Sequence, residues 1–121
     1  MSLRARKINR LVFIVFLAAS AYALAKALLP GDDTVGLIPW DKAKHFIVFY
    51  VLSILASLAL PQSRLHRIGL VILAFGAAIE VLQAFVGRDA SWLDLFADAC
   101  GISAAFGPML VSQWWRKTAR F

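Results

Sequence analysis

Apolar stretches of about twenty residues, the length that crosses ~30 Å of hydrocarbon as a helix, recur four times in this 121-residue chain. Within a bilayer every backbone N–H and C=O must find a partner inside the protein, so each stretch is expected to be helical. The expected spans are residues 11–29, 41–60, 68–86 and 92–111. They leave no room for a separate soluble domain. The expectation is an all-α fold, with residues 1–121 forming one small polytopic bundle of four transmembrane helices. Composition agrees: 61% of residues are apolar and 17% charged, against about 45–50% and ~25% in soluble domains.

Charge and turn residues mark the ends of the spans. Arg4, Arg6, Lys7 and Arg10 precede the first, Pro30-Gly31 closes it, and Lys26 can snorkel from its last turn. A basic start, an apolar run and Ala21-Tyr22-Ala23 also describe a signal peptide. The run continues to Leu29, which favours a retained helix. Pro61 ends the second span and Gly87 the third, and Trp114-Trp115 and a basic tail follow the fourth. The connections at 61–67 and 87–91 are short enough to make neighbouring helices antiparallel.

Orientation follows from the basic residues near the span ends. Arg4, Arg6, Lys7, Arg10, Arg64, Arg67, Arg116, Lys117 and Arg120 fall on one side, and Lys26, Lys42, Lys44 and Arg88 on the other. The richer side is read as cytoplasmic. Both termini then lie in the cytoplasm, and the 30–40 and 87–91 loops face outward from a bacterial inner membrane. Trp40 and Trp92 flank the outer ends of spans and Trp114 and Trp115 an inner end, as the interfacial preference of indole requires. The net charge of +6 therefore serves lipid headgroups and orientation, and no nucleic-acid partner is expected. Cys100 is the only cysteine, which excludes an intrachain disulfide and reads as a small packed residue.

Ionisable side chains inside spans are costly and usually face a bundle interior or a watery cavity. Asp41 and His45, with Lys42 beside them, open the second span. Gly69, Gly76, Glu80, Gln83 and Gly87 form a stripe on the third, and Asp94, Asp98, Gly101 and Ala105 one on the fourth. Small residues four apart allow close helix contact. At 1.5 Å per residue, Glu80 sits roughly 10 Å and Asp98 about 9 Å below the outer ends of their spans. Three helices thus bring polar groups to one outward layer. Asp41, Lys42, His45, Glu80, Gln83, Arg88, Asp94 and Asp98 are the candidate ligand-binding residues, with Arg88 expected to pair with Asp94. Ser91 is read as a helix N-cap, and Asp94 three residues later completes the capping-box spacing.

These same residues resemble the VanZ-like family over residues 40–105. Asp41-Lys42-Ala43-Lys44-His45-Phe46 looks like that family's Asp-Lys, two residues, His-Phe motif, and Glu80-Val81-Leu82-Gln83 with Arg88 looks like its Glu-x-x-Gln…Arg segment. Asp94, a polar residue at 98 and Gly101 look like its last helix. The family often has Asn at the second position and a further Gly four after the first. This chain has Asp98 and Ala105 there, which puts an amide-specific role in doubt. The resemblance implies an integral membrane protein of the cell envelope. The link with resistance to the glycopeptide teicoplanin belongs to the family and is not assigned to this chain.

The functional expectation is an outer-leaflet polar pocket that binds or modifies a lipid headgroup or a lipid-linked envelope component. Whether a reaction occurs is left open. Lys42 and Arg88 are suited to a phosphate, and Glu80, Asp94 or Asp98 to hydroxyl or amine protons. His45, Glu80, Asp94 and Asp98 include ligand types for a divalent metal, but no compact motif such as His-Glu-x-x-His is present. No metal or cofactor is expected. The alternatives are a structural or accessory subunit with an interhelical polar network, and a proton-coupled lipid or solute transporter. Partners then range from membrane lipids to a homo-oligomer or another membrane protein.

Overall fold

A computed structural model describes residues 2–29, 41–87 and 91–119, with Asp41 described by its backbone alone. They contain four helices and no strand: α1 (Leu3–Leu28), α2 (Asp41–Ala59), α3 (Leu65–Phe85) and α4 (Trp92–Thr118). Each is long and apolar enough to cross a membrane. The chain is an all-helical, multi-pass membrane protein. The 30–40 loop, Trp40, Arg88 and Arg120 lie outside the described residues.

The helices outrun the apolar windows at one end of the bundle. α1 begins at Leu3 rather than near residue 11, capped by Ser2, whose side chain accepts from the Ala5 N–H. α3 begins at Leu65 rather than near 68, and α4 continues to Thr118 rather than ending near 111. Hydropathy measures the part of a helix that sits in hydrocarbon. Arg and Lys are good helix formers and carry the backbone on past it. Trp92 and Trp114, both largely exposed, lie 22 residues apart in α4, or about 33 Å of helix. That separation matches the thickness of a hydrocarbon core.

Contacts at the helix ends set the directions. Gln83 near the end of α3 bonds Ala27 near the end of α1, and Lys42 at the start of α2 reaches Asp94 at the start of α4. α1 and α3 therefore run one way, and α2 and α4 the other. α2 packs most extensively against α4 and touches all three other helices, whereas α1 packs on α2 and α3 only. α1 buries no residue. Its apolar surface (Leu11, Ile14 and Leu17 are exposed) suits a lipid neighbour rather than water.

The core lies between α2, α3 and α4. Phe49, Leu52, Ala56 and Ala59 follow helical spacing on α2, and Ile68, Ile72 and Ile79 do so on α3. On α4 the buried set is Asp94, Ala97, Asp98, Gly101, Ile102, Ala105 and Phe106. Gly101 is where backbones meet: a Cβ there would run into the Phe46 carbonyl oxygen and the Tyr50 nitrogen of α2. Backbone cannot swing aside as a flexible side chain can. Gly101→Ala should force α2 and α4 apart and destabilise the bundle by about 1–3 kcal/mol. Gly107→Ala, where the added carbon meets nothing within 4 Å among the described residues beyond its chain neighbours and is constrained only by the following Pro108 ring, should cost less than Gly101→Ala. Unfolding in mixed detergent–SDS micelles would compare the two, and equal stabilities would contradict this packing.

Candidate functional site

The first turns of α2 and α4 and the last turns of α3 meet at one end of the bundle. Helical periodicity puts Lys42 and His45 on one face of α2, Glu80 and Gln83 on one face of α3, and Asp94 and Asp98 on one face of α4. All four acidic and amide side chains are buried, and Asp98 has no exposed surface. The stripes expected from the sequence are present apart from Gly87. It has a left-handed φ of 76° just past α3 and no described residue within 4 Å of an added Cβ, so it ends the helix rather than joining the contact stripe.

His45 lies between two carboxylates. Its Nδ1 is 2.8 Å from Asp98 Oδ1, and its Nε2 is 3.8 Å from Asp94 Oδ2. Lys42 Nζ approaches the other Asp94 oxygen, Oδ1, at 3.5 Å. Room for Asp98 comes from Gly76 on α3, where a Cβ would stand 2.6 Å from Asp98 Oδ2 and 3.1 Å from the Phe49 ring. The expected Arg88–Asp94 pair falls outside the described residues, as does the Asp41 side chain. Lys42 and His45 are the described partners of Asp94.

Ser91 caps α4 as expected, accepting from the Leu93 N–H at 3.2 Å. The capping box does not close through Asp94. The Ser91 N–H instead donates to Glu80 Oε2 of α3 at 2.9 Å, because Asp94 turns toward Lys42 and His45. Glu80 thus performs across two helices what the box would do locally. Gln83 takes a different partner: its Nε2 donates to the Ala27 carbonyl of α1 at 3.0 Å. That carbonyl is among the last four of α1, which have no partner within their own helix.

Neither the Ser91 amide nor the Ala27 carbonyl was legible as a site group. Backbone atoms leave no mark in a sequence. Only the short link from Glu80 to Ser91 hinted at the first, and nothing hinted at the second. Glu80 Oε1 and Gln83 Oε1 are buried with no hydrogen-bond partner among the described residues.

Against family models, curated proteins and solved structures, the chain matches none.

Three chemistries are available to the site. Lys42 is partly exposed and can meet an anion from the membrane surface. The His45–Asp98 pair can hold or exchange a proton. One donor atom each from His45, Glu80 and Asp98 lies within 4.8 Å of the others, a spacing at which a metal ion could be held. A double-mutant cycle of His45→Gln and Asp98→Asn should give a coupling energy well above the ~0.6 kcal/mol average for hydrogen bonds between membrane helices. Unfolding of the four proteins in detergent–SDS micelles supplies the measurement. A coupling near zero would mean that the pair does not join α2 to α4.

Proposed function

We propose that this chain is a VanZ-like protein of a bacterial inner membrane that binds a lipid headgroup or lipid-linked envelope component at an outer-leaflet polar site. One observation carries the reading. Lys42, His45, Glu80, Asp94 and Asp98 converge from three helices at one end of the bundle, with Glu80 Oε1 buried and lacking a hydrogen-bond partner among the described residues. Hydrogen bonds between membrane helices average only about 0.6 kcal/mol, while a charge at the centre of a span costs ~2.5–3.5 kcal/mol. Ordinary helix-tying bonds therefore do not account for three buried carboxyl groups. The Lys42 ammonium at the rim suits a phosphate, and the carboxylates behind it suit hydroxyl or amine groups.

The resemblance to VanZ-like proteins rests on the motif residues, and their convergence supports it: Lys42, His45, Glu80, Asp94 and Asp98 share one site. The orientation rests on charge. Arg4, Arg6, Lys7 and Arg10 open α1, Arg64 and Arg67 flank the start of α3, and Arg116 and Lys117 end α4. With the helix directions above, all of these lie at the end remote from the site, and the positive-inside rule makes that end cytoplasmic.

An accessory role with a purely structural network is the second reading. The Ser91–Glu80 and Gln83–Ala27 bonds favour it, because both tie helices together.

Native mass spectrometry of the purified protein separates the two. Wild type should retain a bound lipid, and Glu80→Gln and Asp94→Asn should retain about tenfold less, the effect of losing roughly 1.4 kcal/mol. Equal retention would favour the accessory role. Orientation has its own test in Ser63→Cys on a Cys100→Ser background. A membrane-impermeant thiol reagent should label it only after cell lysis, and labelling in intact cells would reverse the topology.

A further inference from the structure

Metal donors are most telling where the fold, rather than a local motif, assembles them. One nitrogen of His45 and one oxygen each of Glu80 and Asp98 lie within 4.8 Å of one another, and they come from α2, α3 and α4. Ligand atoms held ~2.1 Å from a tetrahedral ion stand about 3.4 Å apart. Closing on an ion requires shifts of roughly 1 Å, within reach of side-chain rotation. His45 and Asp98 are already 2.8 Å apart.

A second observation points to a ligand. Glu80 is only 9% exposed, its Oε2 is held by the Ser91 amide, and its Oε1 is buried with no hydrogen-bond partner among the described residues. A buried carboxylate oxygen is costly unless a donor or a cation meets it. The amide fixes one oxygen, orients the group, and leaves the other available. Gly76 adds room, since any side chain there would occupy the space beside Asp98 Oδ2.

We propose that His45, Glu80 and Asp98 form a binding site for one divalent transition-metal ion, with Zn²⁺ or Mn²⁺ preferred over Mg²⁺ and Ca²⁺. The imidazole sets that preference, because Mg²⁺ and Ca²⁺ favour all-oxygen ligand sets. Three protein ligands leave a coordination position for water or a ligand oxygen, as in open metal sites. The Ser91 amide acts as an outer-shell group that orients Glu80. An ion here would join α2, α3 and α4 at one point. The site stands whether or not a headgroup binds beside it.

The test uses the full chain, purified in detergent, stripped with EDTA and passed free of chelator. Titration with Zn²⁺ and Mn²⁺, followed by calorimetry and elemental analysis, should show one ion per chain, with Mg²⁺ and Ca²⁺ binding more weakly. His45→Gln, Glu80→Gln and Asp98→Asn should each lose more than the roughly 10–100-fold in affinity that removal of an outer-shell partner costs. His66→Gln and Cys100→Ser, which remove the other histidine and the cysteine, should bind as wild type does. X-ray absorption of the Zn²⁺-loaded wild type needs no variant to fold, and it should show imidazole nitrogen with oxygen and no sulfur. The proposal is overturned by wild type that binds no ion, by folded variants with undiminished affinity, or by a spectrum lacking histidine. Lipid retention is measured separately, so failure of the metal site and failure of the headgroup reading remain distinguishable.

Discussion

Asp98 carries a carboxyl group into the space between α2, α3 and α4 with no exposed surface, and the rest of the bundle is arranged to make that tolerable. His45 meets one oxygen at 2.8 Å. Gly76 clears space beside the other, and Gly101, three residues further along α4, brings the backbones of α2 and α4 together. Close approach and desolvation are one event here. Without glycine at 101 the helices stand apart, and the carboxylate loses the enclosure that strengthens its bond to the imidazole.

The helix ends are tied together by a different device. Backbone groups at helix ends lack partners within their own helix, and near a membrane interface water satisfies them only in part. Glu80 takes the amide at the N-cap of α4, and Gln83 donates to a terminal carbonyl of α1. Two side chains one turn apart on α3 thereby serve its neighbours on either side. The reach of Gln83 toward α1 explains why this polar residue does not join the cluster around His45. It adds a polar tie to a helix that otherwise attaches by packing partly buried side chains such as Phe16 and Leu24 against the core.

Much of this was legible in the sequence, because the physics of a bilayer is written in long-wavelength patterns. Four apolar lengths gave four helices. The i, i+4 spacing of Asp94 and Asp98 and the i, i+3 spacing of Glu80 and Gln83 gave the faces that the fold buries. The helix ends were less legible. Hydropathy falls where hydrocarbon stops, whereas α1 and α4 continue as helices into their Arg- and Lys-bearing turns. Pairings inside the site were less legible still. Asp94 had three nearby candidates in Arg88, Lys42 and the Ser91 amide, and spacing cannot rank them. The fold ranks Lys42 and His45 above the local amide, and this frees that amide for Glu80.

The polar groups are unevenly distributed along the membrane normal, and this bears on which functions the bundle can support. A proton or solute path across the membrane needs polar stations at every depth. Below the site, the Ser57 hydroxyl is engaged by the Ile54 carbonyl in its own helix, and Ser53 is sealed with no exposed surface. The remaining buried surface of α2 and α3 at that depth is Ala56, Ala59, Ile68 and Ile72. A charge moving from Asp98 toward the basic end would cross about 15 Å or more of such surface with only the serine hydroxyls of α2 and no charged partner among the described residues. Conduction through one copy of the bundle is therefore disfavoured. The same one-sided layout is what the proposed headgroup site requires, since such a site meets its ligand and releases it at a single membrane face.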